Sequence, residues 1–126
     1  GPVIACAIFD KAFAGDTSER TQPQVIAFIR ESVAAVNPRS SHWAVRSVVP
    51  YRRDHRALLS QVQRPVLVVA GEEDRTFPVA ETRAMADAIP GSRFMVLPRV
   101  GHLAALEAPE AVNAAIDPFL RALGLP

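Results

Sequence analysis

Two residues of the 126-residue sequence, Asp74 and His102, stand where a parallel α/β sheet would do chemistry. Asp74 lies in Gly71-Glu72-Glu73-Asp74, directly after the apolar run Val66–Ala70. His102 lies in Val100-Gly101-His102, shortly after Arg93-Phe94-Met95-Val96-Leu97. If the two runs are neighbouring parallel strands, both side chains emerge at the carboxyl edge of the sheet, where ligand sites form. A carboxylate there accepts a hydrogen bond from one imidazole nitrogen. That bond fixes the tautomer and leaves the other nitrogen free to take up a proton. Either residue alone reads as structure, because acidic residues are common turn formers and a single histidine is ordinarily packed. Their joint position at corresponding strand ends favours an acid–base pair. Glu72 and Glu73 are rivals for the acid, and Asp74 is preferred as the furthest into the loop.

The elements that must position this pair follow from punctuation and periodicity. Ile4, Ile8 and Ala12 recur every four residues and suggest a short first helix. The polar stretch Gly15–Gln22 interrupts it. Pro23 opens a stronger helix with Val25, Ile26, Ile29, Val33 and Val36 on one face, which Pro38 ends. A segment from Ser41 to Val49 carries Trp43, Pro50 breaks the pattern, and Asp54 caps a short helix through Leu59. After Pro65 the character changes. Val66-Leu67-Val68-Val69-Ala70 is continuous rather than alternating, as in a strand covered on both faces. A helix follows Pro78 with Met85, Ala88 and Ile89 on its buried face, and Pro90-Gly91 stops it. Arg93–Leu97 is a second strand. Pro109 opens the last helix, with Val112, Ile116, Phe119, Leu120 and Leu123 in register and a break expected at Pro118. Strand, helix, strand, helix in that order requires a parallel pair, so the second half is α/β.

Composition narrows the function classes. A net charge of +1 gives no electrostatic case for nucleic acid or an anionic membrane surface. The apolar runs are too short to span a bilayer, and no signal peptide is visible. Cys6 is the single cysteine, which excludes an internal disulfide and suits a reducing, cytoplasmic setting; its apolar neighbours favour a buried thiol.

From Pro65 to Leu123 the sequence resembles the end of an α/β-hydrolase. The resemblance rests on Pro-Val-Leu-Val-Val-Ala-Gly-Glu-Glu-Asp, Phe77-Pro78, Gly101-His102 and Glu107-Ala108-Pro109-Glu110, in that order. It implies that Asp74 is a triad acid and His102 the base, with no metal or organic cofactor. Arg53-Asp54 leading into Leu58-Leu59 resembles the family's return from a helical cap. The expected organisation is therefore a cap segment over residues 1–63 and the C-terminal α/β part of the core over 64–126. Phe77, Val100 and Leu103 border the two loops and could line an acyl pocket, with core packing the alternative. Trp43 could face substrate from the cap, or simply be buried. Arg52, Arg53 and Arg56 cluster with Asp54 on what reads as a solvated face, and no partner is evident for His42 or His55.

The family's Gly-x-Ser-x-Gly elbow is missing. Ser18, Ser32, Ser40, Ser41, Ser47, Ser60 and Ser92 lack the flanking glycines, and Cys6 lacks an elbow too. By the resemblance, the elbow and the oxyanion-hole loop belong before Gly1. The chain then reads as a truncated or split esterase-type hydrolase, acting on a small ester-like substrate only when completed. The uncovered strand edge predicts a homo-oligomer or a nucleophile-bearing partner chain. The rival reading is a non-catalytic module that dimerises and keeps the acid and base as relics.

Overall fold

A computed structural model describes residues 12–48, 50, 51 and 53–125. The expectations for Ile4, Cys6, Ile8 and Arg52 lie outside these residues. The frame of the α/β part is a parallel pair, β1 (Leu67–Gly71) and β2 (Arg93–Leu97), in register from Leu67 against Arg93 to Gly71 against Leu97. Both strands thus end at the same level, and the loops that follow them leave side by side. β1 begins and ends one residue later than the apolar run suggests.

In chain order the helices are α1 (Asp16–Thr21), α2 (Pro23–Ala35), α3 (Pro38–Val48), a 3₁₀ helix (Arg56–Gln61), α4 (Val79–Asp87), α5 (Ala104–Glu107) and α6 (Pro109–Ala122). Both α4 and α6 pack on the strand pair. Val68, Ala70, Ala86, Ile89, Leu97, Val100 and Ala115 are buried there, and Ala14, Ile26 and Ile29 form a second cluster joined by Val25, Val33 and Leu103. The parallel strand pair flanked by helices is the α/β arrangement expected of the second half. No described helix is long and apolar enough to cross a membrane.

Several local expectations are corrected. The polar stretch Gly15–Gln22 is not a break but contains α1, because carboxylates from distant loops bond to its first turn. Pro38 does not merely end α2; it begins α3, whose start is capped by Asn37 Oδ1 accepting from the Arg39 and Ser40 amides. The short helix after Asp54 is 3₁₀, with Asp54 Oδ1 accepting from the Arg56 amide. Met85 and Ala88 are exposed; Ala86 and Ile89 take the buried face of α4. α6 runs unbroken through Pro118. Ala114, whose carbonyl loses that donor, is exposed, so water can replace it.

Two glycines are required for different reasons. A methyl group on Gly71 would collide with the carbonyl oxygens of Val100 and Gly101. Gly91 meets no neighbour but has φ 71°, in the left-handed region. Gly91→Ala should therefore cost about 1–2 kcal/mol. Gly71→Ala should cost about 2–3 kcal/mol, because backbone must move. Urea midpoints of the two variants test the order, and equal losses would contradict the close approach at Gly71.

Candidate active site

Asp74 and His102 leave their strands on the same edge and meet. His102 Nδ1 lies 3.0 Å from Asp74 Oδ2. A carboxylate oxygen at this distance accepts from Nδ1 when that nitrogen carries the ring proton, the tautomer that leaves the Nε2 lone pair open. Nε2 has no hydrogen-bond partner among the described residues. Asp74 is held by its own loop: Oδ1 accepts from the Thr76 amide at 2.8 Å and the Phe77 amide at 2.9 Å. Those two bonds orient the carboxylate so that Oδ2 faces the imidazole. The side chains are largely shielded, 10% exposed for Asp74 and 26% for His102.

The three acidic residues of Gly71-Glu72-Glu73-Asp74 divide cleanly. Glu72 accepts from the Arg99 amide, and Glu73 accepts from the Thr17 amide and hydroxyl, each at 2.7 Å. Only Asp74 reaches the histidine.

The imidazole sits between two aromatic rings. Phe13 stacks on it at 5.7 Å and Phe77 tilts over it at 5.6 Å. An open cavity of about 1030 Å³ lies beside His102, with Phe77, Leu59, Val69, Ala84, Met85 and Ala88 as its apolar wall. The exposure of Met85 and Ala88 is explained by this cavity. A smaller recess of about 350 Å³ on the other side of His102 is lined by Leu103, Leu106, Val112 and Ile116. Phe77 and Leu103 therefore stand beside the histidine. Val100 is 4% exposed and belongs to the core, and Trp43 is 59% exposed on α3, away from both cavities. Trp43 instead packs with His42 and Arg46. Arg53, Asp54, His55 and Arg56 form a charged rim, where hydrogen bonds from Arg56 hold the Asp54 carboxyl down at about 2.

Sequence reasoning missed Glu107 and Phe13. Glu107 is 5% exposed, and its oxygens accept from the Gly15, Gly101 and Leu103 amides and the Ser18 hydroxyl. The Phe13 carbonyl accepts from the His102 and Leu103 amides, each at 3.1 Å. The signal for Glu107 was a carboxylate five residues past His102, in Glu107-Ala108-Pro109-Glu110. Nothing local marked Phe13. Among the described residues no cluster of three or more His, Cys, Asp or Glu is arranged to hold a metal.

Comparison with known proteins gives the family. Residues 27–126 match the family described as TAP-like protein. A thermophilic esterase from Thermogutta terrifontis superimposes with a TM-score of 0.90 at 34% identity, over 97% of this chain and 44% of that one. A Mycobacterium tuberculosis protein, BpoC, provisionally named a non-heme bromoperoxidase, is 41% identical over 58 residues, 46% of this chain and 22% of its own length. The pimeloyl-[acyl-carrier protein] methyl ester esterase of Nitrosomonas europaea is 29% identical over 97 residues, 76% of this chain and 38% of its own length. The chain thus spans less than half the length of each of these three proteins. It belongs to the TAP-like family and has the α/β-hydrolase fold.

The bonds at Glu73 carry a pH consequence. The Thr17 amide, and then its hydroxyl, hold the Glu73 carboxyl below its ordinary 4.5. A carboxyl lowered by folding gives stability that is complete above its unfolded pKa and lost as pH falls through the folded one. Stability should therefore fall from about pH 5 downward, and Glu73→Gln should flatten part of that acid limb while lowering stability at about pH 7. Urea midpoints measured across this range decide; parallel limbs for the two proteins would contradict the Thr17 bonds.

Proposed function

Because the chain belongs to a hydrolase-fold family, we propose that it supplies the acid and base of a serine-type triad that cleaves small ester-like substrates. The observation that carries this reading is the 3.0 Å contact of His102 Nδ1 with Asp74 Oδ2, with no hydrogen bond to Nε2 among the described residues. His102 Nε2 removes the proton from a serine hydroxyl as that oxygen attacks the substrate carbonyl. Asp74 stabilises the imidazolium through the Nδ1 bond. His102 then passes the proton to the departing alkoxide, and water repeats the sequence to release the acid and regenerate the serine. The apolar wall of Phe77, Leu59 and Met85 suits an acyl group.

The nucleophile comes from protein other than these 126 residues. The only hydroxyl or thiol side chain of the described residues along the larger cavity is Thr82, and it bonds the Phe77 carbonyl. β1 and β2 are the only strands of their sheet among the described residues, so no described strand pairs with the outer edge of β1. A neighbouring strand carrying the elbow, from a longer form of the chain or a partner chain, pairs there. Residues up to 63 act as part of a cap over the site.

The 126-residue chain alone should turn over no p-nitrophenyl ester above background. Joined to the nucleophile-bearing portion of its fold, it should hydrolyse the ester. Asp74→Asn should then lower kcat about 10⁴-fold and His102→Ala about 10⁶-fold. Activity that survives His102→Ala in the completed enzyme would refute the assignment. Self-association of the isolated chain into a stable dimer, with a completed form that is inactive, would instead support the non-catalytic module.

A further inference from the structure

We infer that Glu107 and Glu73 are positioning residues, which hold the Asp74–His102 pair in register by gripping one shared turn of chain, Gly15–Ser18. The inference rests on the acid–base reading of that pair and adds what sets its geometry.

Among the described residues, the Gly101, His102 and Leu103 amides are held by two acceptor residues, Glu107 and Phe13. The Gly101 amide donates to Glu107 Oε2 at 2.9 Å, and the Leu103 amide to Glu107 Oε1 at 3.1 Å. The His102 amide donates to the Phe13 carbonyl, which the Leu103 amide shares. Glu107 therefore clamps the residues on both sides of the base. Its remaining bonds go to the Gly15 amide at 3.0 Å and the Ser18 hydroxyl at 2.7 Å.

The acid loop is anchored in the same place. Glu73 precedes Asp74 directly, and its carboxylate takes the Thr17 amide and hydroxyl. A Cβ on Gly15 would stand 2.6 Å from Glu73 Oε2 and 2.9 Å from the Gly101 nitrogen. The turn is thus pressed between the acid loop and the base loop. Thr76 adds a bond to the Ala12 carbonyl, and Arg75 pairs with Asp16. Both loops are bonded to this turn, the acid loop through Glu73 and the base loop through Glu107, so a shift of the turn moves both halves of the pair.

A purely stabilising role would lower the unfolding midpoint without touching the imidazole bond. The readout that separates the two is the Nδ1-bound proton of His102, observed by NMR in the ¹⁵N-labelled full chain. In wild type this proton should be visible and protected from exchange with water, and in Asp74→Ala it should be lost. Glu107→Gln, which keeps the shape but turns a donor toward one of its donors, and Ser18→Ala, which removes one bond, should each speed its exchange about tenfold. Ala86→Gly on α4 should lower stability and leave the exchange unchanged once global unfolding is subtracted. If Glu107→Gln does not fold, Ser18→Ala alone decides. Wild-type exchange in the folded Ser18→Ala and Glu107→Gln chains, or in Ser18→Ala alone where the other is unfolded, overturns the clamp. Absence of the protected proton in wild type instead removes the acid–base pair itself, and the clamp with it.

Discussion

A carboxylate withdrawn from water must find donors inside the protein or forfeit its solvation. Glu107 finds the Gly15, Gly101 and Leu103 amides and the Ser18 hydroxyl. These donors come from two stretches of chain more than eighty residues apart, so satisfying one side chain draws the Gly15 turn onto the histidine loop. Close approach is possible because Gly15 and Gly101 carry no side chain where they meet. The Gln22 side chain completes the contact, its Nε2 donating to the Glu107 carbonyl. Much of the arrangement around the site is a consequence of that single buried group.

The second constraint is the register of the strand pair. Gly71 opposite Leu97 ends both strands at one level, and the Glu72 and Glu73 amides then donate across to the Leu97 and Val100 carbonyls. The roots of the loops are tied there, and their tips are tied to the Gly15 turn. Asp74 adds an internal turn of its own through the Thr76 and Phe77 amides. The same turn brings the Phe77 ring over the imidazole, so the acid loop supplies both the carboxylate and one wall of the cavity. A carboxylate and an imidazole held this way are pre-oriented, and their contact does not depend on a mobile side chain finding its partner.

The proteins that this chain resembles are named for different reactions, two as esterases and one as a bromoperoxidase. What they have in common with this chain is the frame of parallel strands and flanking helices. In this chain that frame leaves an open, partly apolar cavity beside His102 with a polar rim of Arg53, Asp54, His55 and Arg56.

The sequence by itself determined the two strands, the helices at Pro23, Pro78 and Pro109, and the positions of Asp74 and His102 at strand ends. These are local matters: β-branched runs, helical periodicity and proline geometry act over a few residues and leave marks in the order of the chain. It also singled out Asp74 among three neighbouring acidic residues, although only by its place in the loop. Only the tertiary structure decided that Gly15–Gln22 holds a helix, that Met85 faces a cavity, that Val100 is core and that Trp43 stays in solvent. The roles of Glu107 and Phe13 were likewise decided there, because the partners of a buried carboxylate and of a backbone carbonyl are chosen by proximity in space. No spacing in the sequence encodes a hydrogen bond across ninety residues.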